Sequence, residues 1–494
     1  MNKRHRDSNL SLQEPEFLKG GDRPVREDGE VLDFEDEYED EFESEDEIFE
    51  AGVDGRPDAE REAEEAEAMD VDPGTFIPGR TKLGAGETLE PNLSVYELLH
   101  RFSSKWSCLS LDIIKDYLGD NRSTYPATAY AVAGSQAGQG HERENELSVF
   151  KLSSLSKVQK EEEGSDSDDD DSDDEESEPV LESKSIPLTS CTNRIRAFQR
   201  PREGNTSGFS QTFTASMMES GQVLIYDVTP HLNAFDNPGS AITAAQNQPV
   251  SVITAHKSTE GYAIDWSPLD NDGRLLTGDT KGRIFLSVAQ PGGKWGIDRK
   301  EAFTGHNGSV EELQWSPTEA SVFASASSDG TVKIWDTRSK SRKAKVSVKV
   351  SEYDVNVLSW SRQTSHLLAS GHDDGSWAVW DLRQWRPSST TAQKPEPVAD
   401  FHFNKEQITC LEWHPTDDSI IMACAGDNTV TLWDLAVELD DEESKETGGV
   451  KEYPPQLLFL HYQEGVKEGH WHPQIPGAVF STGLGFDFFK TISV

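Results

Sequence analysis

The stretch SVFASASSDGTVKIWD (residues 321–336) decides the fold, because it predicts two short strands joined by a tight turn. Small, apolar and polar residues alternate on both sides of Asp329-Gly330, and an Asp-Gly pair in such a setting is a strong hairpin signal. The arrangement returns in HLLASGHDDGSWAVWD (366–381) and, with Asp-Asn in the turn, in IIMACAGDNTVTLWD (420–434). The chain therefore repeats an antiparallel unit.

Tryptophans mark the period of this repeat. WSP or its variants WSR and WHP begin at Trp266, Trp315, Trp360, Trp413 and Trp471, which are 45 to 58 residues apart. This period, together with the Trp-Asp pairs that end the three hairpins, resembles the WD-repeat β-propellers. Weaker copies at 125–152, 214–227, 273–286 and 480–494 complete the set. We predict an all-β, seven-bladed WD-repeat propeller over residues 119–494.

The resemblance implies a hydrogen-bonded tetrad of side chains inside a blade. In the fourth blade its members are His306, Ser325, Asp329 and Trp335. The fifth blade matches at Ser370, Asp374 and Trp380 but has no histidine at the expected place. The sixth blade keeps Asp427 and Trp433, with Ala423 and Asn404 at the other two positions. We therefore expect incomplete tetrads in the fifth and sixth blades.

Acidic residues are concentrated in two segments of a chain whose formal net charge is −44. Residues 27–72 hold 24 acids against two arginines, and residues 161–178 hold 13 acids and no base. We predict a disordered acidic arm over 1–90 and an acidic insertion over 157–184, between the first and second blades. The insertion includes Asp168, Asp169, Asp170, Asp171, Asp173 and Asp174. No basic segment is concentrated enough to favour direct nucleic-acid binding, so the expected partner is a basic protein.

Residues 91–118 precede the predicted propeller. Val95, Leu98, Leu99 and Phe102 have helical spacing, and Ser94 and Glu97 have the spacing of a capping box. We predict a short amphipathic helix that docks on the side of the propeller.

Other classes of function find little support in the sequence. The four cysteines are far apart, which suits a reducing compartment, and no apolar run is long enough to span a membrane. There is no phosphate loop or nucleophile motif, and we interpret His470 and His472 as structural. We expect a non-enzymatic monomer that needs no cofactor or metal.

Several strings are more specific than a generic WD repeat. They are CLSLDIIKDYLGDNR (108–122), WDLAVE (433–438), QLLFLHY (456–462), HWHPQIPG (470–477) and FKTISV (489–494). In these the chain resembles the glutamate-rich WD-repeat proteins, within a broader histone-binding WD-repeat group.

This resemblance implies a dedicated chaperone. Fungal members keep a basic ribosomal protein, large-subunit protein three, soluble and deliver it to nucleolar pre-60S assembly, which implies a nuclear and nucleolar location with a cytoplasmic pool. Two alternatives stay open. One is a histone-binding chromatin chaperone, and the other is a substrate receptor of a cullin-four ubiquitin ligase, suggested by the WDxR strings at 335–338 and 380–383.

Partner-binding positions follow from the WD pattern. In such propellers, partners contact residues six and four positions before the WSP tryptophan and the residue before the turn aspartate. Carried over by position, these are Glu219, Glu260, Tyr262, Ser309, Glu311, Asp354, Asn356, Asp373, Gln407 and Thr409. Acids around an aromatic ring suit a Lys/Arg-rich partner. Ser44, Ser165, Ser167 and Ser172 each have an acid three residues later, which suits acidophilic kinases.

Overall fold

A computed structural model describes residues 89–158, 178–201, 208–386, 395–437 and 454–494. The strands in these residues form seven antiparallel sheets, six with four strands and one with five. In chain order they are β1 (Tyr96–Phe102), β2 (Cys108–Ile114), β3 (Ala127–Ser135), β4 (Glu146–Leu155), β5 (Val180–Pro187), β6 (Thr192–Gln199), β7 (Thr212–Met218), β8 (Val223–Asp227), β9 (Ser251–Ile253), β10 (Ile264–Trp266), β11 (Arg274–Gly278), β12 (Arg283–Gln290), β13 (Lys294–Ile297), β14 (Phe303–Thr304), β15 (Val310–Trp315), β16 (Val322–Ser327), β17 (Thr331–Asp336), β18 (Val346–Lys349), β19 (Val355–Trp360), β20 (Leu367–His372), β21 (Trp377–Asp381), β22 (Ala399–Phe401), β23 (Ile408–Trp413), β24 (Ile420–Ala425), β25 (Thr429–Asp434), β26 (Leu457–Tyr462), β27 (Glu468–Trp471), β28 (Ala478–Thr482) and β29 (Phe486–Thr491).

Each sheet is one blade of a seven-bladed β-propeller, as predicted. Blades 1 to 6 are β2–β5, β6–β9, β10–β14, β15–β18, β19–β22 and β23–β26, and blade 7 joins β27–β29 to β1. One α-helix, α1 (Thr229–Asp236), follows β8, and short 3-10 turns cover Leu93–Val95, Glu142–Glu144 and Leu382–Gln384. None of the helices in the described residues is long and apolar enough to cross a membrane.

The second strand of each hairpin is buried on both sides because every blade packs between two neighbours. In β16, Phe323, Ala324 and Ala326 are completely buried. Small residues in β16, β20 and β24 let the adjacent sheets approach closely. The alternation of small and large residues in the hairpin strings therefore reflects packing between blades as well as within them.

The WSP-type tryptophans join neighbouring blades through their indole groups. Trp315 Nε1 donates to the backbone oxygen of Asp265 in blade 3 at 3.3 Å, and Trp413 Nε1 donates to that of Ser359 in blade 5 at 3.0 Å. Trp266 and Trp471 bond the preceding blade in the same way. The exception is Trp360, whose Nε1 donates within its own blade.

Blade 4 contains a complete hydrogen-bonded tetrad. Trp335 Nε1 donates to Ser325 Oγ at 2.8 Å, and His306 Nε2 lies 2.6 Å from the same oxygen. His306 Nδ1 lies 3.0 Å from Asp329 Oδ2. The carboxylate thus fixes the Nδ1–H tautomer, which leaves Nε2 to accept the serine hydroxyl.

Blade 5 completes its network with a histidine that the pattern did not predict. His372 lies two residues after Ser370 on the same strand, with Nε2 3.0 Å from Ser370 Oγ. Its Nδ1 lies 2.9 Å from Ser376 Oγ, which in turn donates to Asp374 Oδ1 at 2.6 Å. The expectation of an incomplete tetrad is wrong here, because a serine bridges the gap between histidine and aspartate.

Blade 6 has the interrupted network that we expected. Asn404 Nδ2 donates to Thr429 Oγ1, which donates to Asp427, while Trp433 Nε1 donates separately to Thr431 Oγ1. No hydrogen bond links the two halves among the described side chains, because Ala423 has no hydroxyl group.

The predicted docking helix at 91–118 is wrong. Residues 96–102 form β1, which pairs with β29 along Tyr96–Thr491 to Phe102–Phe486, and residues 108–114 form β2. The helical spacing of apolar residues also places Leu98 and Phe102 in the core of the last blade. The backbone partner is almost four hundred residues away, so local periodicity cannot reveal it. The propeller thus begins at β1 and not at residue 119.

The position predicted for the acidic insertion is also wrong. β4 ends at Leu155 and β5 begins at Val180, and the two strands pair with each other in blade 1. The insertion therefore connects two strands of one blade, and residues 180–184 of its predicted range lie in β5. β5 was missed because its sequence VLESKSIP is largely polar and its side chains are mostly exposed.

Candidate partner-binding face

The ring of blades has two ends with different loops. We call top face the end that carries the turns between second and third strands and the connections between blades. We call bottom face the opposite end, which carries the first-to-second and third-to-fourth connections. All the candidate positions carried over from the WD pattern lie on the top face, in blades 2 to 6.

Backbone hydrogen bonds hold these positions next to each other. Glu219 N donates to Cys191 O at 3.1 Å, Thr280 N donates to Glu260 O at 3.0 Å, and Asp373 N donates to Asp354 O at 3.0 Å. Each bond ties a turn between the second and third strands to the loop that precedes the first strand. The side chains therefore project from a rigid frame.

Tyr262 is half-buried among carboxylates. Burial raises the pKa of its phenol, and the negative charges of Glu260, Glu311 and Glu219 raise it further. Burial also raises the pKa of the Cys191 thiol to about 12, with smaller contributions from Glu219 and Glu260. The three acids thus surround one aromatic ring at the junction of blades 2, 3 and 4.

The acidic surface continues into blade 5. Burial raises the pKa of Glu311, and the charge of Asp354 adds to this effect. Burial and then Asp373 raise the pKa of Asp354. Asp354 and Asp373 are exposed, so their carboxylates are available to a cation in solution.

The remaining candidates are polar. Asn356 Nδ2 donates to Asp373 Oδ1 and to Ile408 O, both at 3.4 Å, and thereby links blades 5 and 6. Gln407 is exposed, and its backbone oxygen accepts from Gly426. The hydroxyl oxygens of Ser309 and Thr409 are buried. We call acidic top-face cluster the set Glu219, Glu260, Tyr262, Glu311, Asp354 and Asp373.

A charged network in the central channel was missed by sequence reasoning. The channel encloses about 430 Å³ and is lined by the innermost strands of all seven blades. Arg194 Nη1 lies 2.6 Å from Glu312 and 3.4 Å from Glu468, and Arg196 Nη2 lies 2.7 Å from Glu468. Burial would lower the pKa of His470, but Glu412, 2.8 Å from its Nδ1, raises it well above its ordinary value. The available signal was charge at inward-facing positions of strands such as VEELQW and CLEW.

Side chains around the channel also bond the backbone of the next blade. An acceptor on one innermost strand receives a backbone N–H from the innermost strand that follows it around the ring. The pairs are Asp112 with Ala197, Asp265 with Trp315, Gln314 with Trp360, Ser359 with Trp413, Glu412 with Trp471 and Glu468 with Leu111. The polar residues of the channel are therefore part of the frame that carries the top face.

The acidic insertion is attached on the bottom face. Its six predicted aspartates, and Ser44, Ser165, Ser167 and Ser172, lie outside the described residues. The segment before it is held on β1, because Val158 N donates to Glu97 O at 3.0 Å and Lys157 Nζ lies 2.9 Å from Glu97 Oε1. Its attachment points are thus on the end of the ring opposite the acidic top-face cluster.

Histidines and cysteines have structural surroundings in the described part of the chain. His472 Nδ1 accepts backbone N–H groups of Gln474 and Ile475, and burial lowers its pKa to about 3. The four cysteines are buried and free. No group of three metal-ligating side chains occurs in the ranges that the structure describes.

The two WDxR arginines are bound to the aspartates of their own motifs. Arg338 Nε and Nη2 donate to Asp336 at 3.0 and 2.9 Å, and Arg383 pairs with Asp381 through the same atoms at 2.9 and 2.7 Å. Both guanidinium groups are mostly exposed on their other edges.

Comparison with known proteins gives two family matches. A family described by the histone-binding protein RBBP4 and a component of the CAF1 complex matches residues 86–156, which include β1 and most of blade 1. A family described as WD domain, G-beta repeat matches residues 298–336 and 395–434.

Three relatives are similar over most of their length. Ribosome assembly protein rrb1 of Schizosaccharomyces pombe is 44% identical over 94% of this chain and 94% of its own. Protein HEAT STRESS TOLERANT DWD 1 of Arabidopsis thaliana is 38% identical over 88% of this chain and 94% of its own. Glutamate-rich WD repeat-containing protein 1 of Dictyostelium discoideum is 38% identical over 84% of both. With its seven-bladed ring and this similarity along most of its length, the chain belongs to the glutamate-rich WD-repeat family.

Proposed function

We propose that this chain is a ribosome-assembly factor that escorts a newly made basic ribosomal protein. The client that we propose is large-subunit protein three, which the chain keeps soluble and delivers to pre-60S particles. The observation that carries the proposal is the acidic top-face cluster, where carboxylates from blades 2 to 5 surround Tyr262. The name of the fission-yeast relative, ribosome assembly protein rrb1, gives the proposal its direction.

The acidic top-face cluster is suited to a Lys/Arg-rich segment for two physical reasons. A cation near half-buried carboxylates such as Glu311 gains more electrostatic energy than it would in bulk water. The face of Tyr262 offers a cation–π contact in the middle of the same cluster. We propose that the acidic arm and insertion add a salt-sensitive polyanion, which lowers the client's contacts with stray nucleic acid.

A histone client is the second candidate. The family match over residues 86–156, described by its histone-binding members, supports it, and histones share the basic chemistry of the first client. A role as receptor of a cullin-four ligase has less support, because Asp336 and Asp381 already occupy one edge of each WDxR guanidinium. In either escort role we propose a non-enzymatic monomer in the nucleus and nucleolus, with a cytoplasmic pool.

Reversing the charge of the top face tests the proposed site. The variant Glu219→Lys/Asp354→Lys/Asp373→Lys changes three exposed acids, and the partners recovered with the full chain from its own cells are identified by mass spectrometry. We expect one near-equimolar basic ribosomal protein with the unaltered chain and at least a roughly tenfold lower recovery with the variant, because like charges repel the client.

The matched control reverses three exposed acids on the bottom face. Asp120→Lys/Asp272→Lys/Glu319→Lys has the same change in net charge and should retain the client. Core histones in place of the ribosomal protein would favour the second candidate. Equal loss with both variants would argue for general electrostatics and against a site on the top face.

A further inference from the structure

Two basic segments meet on the outer rim of the ring between blades 3 and 4. Residues 298–304 follow the outer strand β13, and residues 337–345 (TRSKSRKAK) connect β17 to β18. We call these two segments the basic rim patch. They carry seven cations against two acids, Asp298 and Glu301. The cations are Arg299, Lys300, Arg338, Lys340, Arg342, Lys343 and Lys345.

Arg342 anchors the two segments to each other. Its side chain is buried, with the guanidinium 4.3 Å from the ring centre of Phe303 and Nη2 2.7 Å from Asp298 Oδ2. Thr304 N donates to Arg342 O at 3.3 Å. Lys343 Nζ donates to Thr304 Oγ1 at 3.3 Å. The patch is therefore held in one arrangement by contacts between neighbouring blades.

Several of the other cations are free to bind an anion. Lys300, Lys340 and Lys343 are exposed. Among the described residues, no carboxylate lies within ion-pair distance of these three ammonium groups, whereas Arg338 and Arg299 have Asp336 and Asp298 beside them. In a chain with a net charge of −44, this local excess of positive charge is an exception.

We propose that the basic rim patch binds the phosphate backbone of double-helical RNA. Lysine, arginine, serine and threonine are the side chains that contact phosphates, and the patch adds Thr304, Thr337, Ser339 and Ser341 to its cations. It has no large apolar side chain that is exposed, since Phe303 is buried. Single-stranded nucleic acid would need aromatic rings for stacking, so the patch fits a folded RNA backbone without sequence preference.

An acidic peptide fits the same surface less well. A specific peptide site needs pockets for apolar or aromatic side chains, and the basic rim patch offers only charge and hydroxyl groups. The inference rests on the proposed function, because an assembly factor that delivers a basic client would bring this rim close to folded ribosomal RNA. The chain as a whole lacks a basic footprint, and the fold assembles one from two segments.

Fluorescence anisotropy with a labelled RNA duplex of arbitrary sequence tests the patch in the full chain. Lys300→Ala/Lys340→Ala/Lys343→Ala should weaken binding at least about tenfold and lower the slope of log K against log salt by about 2 to 3, since three phosphate contacts are lost. The matched control is Lys281→Ala/Lys405→Ala/Lys467→Ala, three exposed lysines on the top face. This variant should bind the duplex as the unaltered chain does.

Three results would overturn the inference. They are no duplex binding by the unaltered chain at about 50 mM salt, equal loss in both triple variants, and saturable binding of an acidic peptide of sequence 161–178 in place of the duplex. The patch variant should still recover the basic client. Loss of RNA binding with the client retained is therefore distinct from loss of the client in the top-face variant, so either proposal can fail alone.

Discussion

Ser325 has a role in blade 4 that its small size does not suggest. Its hydroxyl oxygen accepts Trp335 Nε1–H, and its proton goes to His306 Nε2, so one atom satisfies two fully buried groups. Burial lowers the pKa of His306 and keeps the ring neutral. Burial would raise the pKa of Asp329, but hydrogen bonds from His306 and Thr331 lower it. The direction of every hydrogen bond in the tetrad is thereby fixed.

Ser325→Ala should lower the free energy of unfolding by about 2 kcal/mol or more, because Trp335 Nε1 and His306 Nε2 would both lose their partner. Urea unfolding followed by tryptophan fluorescence measures the change. Ser341→Ala, on the exposed loop of the same blade, should stay within about 0.5 kcal/mol of the unaltered chain. Equal effects of the two substitutions would contradict the assigned role of the tetrad.

At the scale of the element, β1 determines whether the ring closes. It is the first described strand of the chain, yet it is the outer strand of the last blade, where Leu98 and Phe102 pack with Phe486 and Phe488. Glu97 adds a polar link, since Lys490 and Lys157 lie 2.8 and 2.9 Å from its carboxylate. Burial would raise the pKa of Glu97, but these two lysines lower it to about 2.

Leu98→Ala tests this closure. Leu98 is completely inaccessible to solvent, so the truncation should cost about 2–5 kcal/mol through lost burial and the cavity left behind. Leu93→Ala removes a leucine that is 49% exposed just before the strand and should have little effect. Unchanged stability of the Leu98 variant in denaturant unfolding would mean that β1 does not hold the ring closed.

At the scale of the whole molecule, the channel network joins blades that share no strand edge. Glu468 of blade 7 binds Arg194 and Arg196 of blade 2 and the backbone of Leu111 in blade 1, and Arg194 reaches Glu312 of blade 4. Burial alone would raise the pKa of Glu468, but Arg196 and Arg194 lower it well below its ordinary value of 4.5. The carboxylate is therefore ionised in the folded ring.

Glu468→Gln should destabilise the protein by about 3–5 kcal/mol, because two buried guanidinium groups lose their counter-charge. Since the folded-state pKa of Glu468 is depressed, its contribution is complete above about pH 4.5 and is lost as the pH falls below that value. The variant should lack this part of the acid sensitivity in unfolding measured from pH 7 downward. Glu464→Gln, exposed in the same blade, should keep it.

Local patterns predicted the parts of the fold that local chemistry determines. The Asp-Gly turns, the WSP-type tryptophans and the tetrad of blade 4 all recur at constant spacing, and they led to the correct number of blades. The helix at 91–118 and the position of the acidic insertion were wrong. In both cases a strand is defined by a partner, β29 for β1 and β4 for β5, and not by its own periodicity.

The same division applies to the candidate site. The positions of the acidic top-face cluster could be predicted because a repeated hairpin places equivalent residues on the same face in every blade. His372 could not, since it replaces the usual histidine from another strand. The channel network and the basic rim patch were equally hidden, because Arg194 and Glu468, or Lys300 and Lys343, are neighbours only in the folded ring.

The sequence by itself determined the seven-bladed ring, the excess of negative charge and the face that carries the carboxylates around Tyr262. These properties follow from repeat spacing and composition, which need no knowledge of distant contacts. Only the tertiary structure decided how the ring closes, which ions neutralise one another in the channel and where positive charge collects on the rim. The physical reason is that strand pairing and electrostatics depend on distances in space, and the circular fold brings distant parts of the chain together.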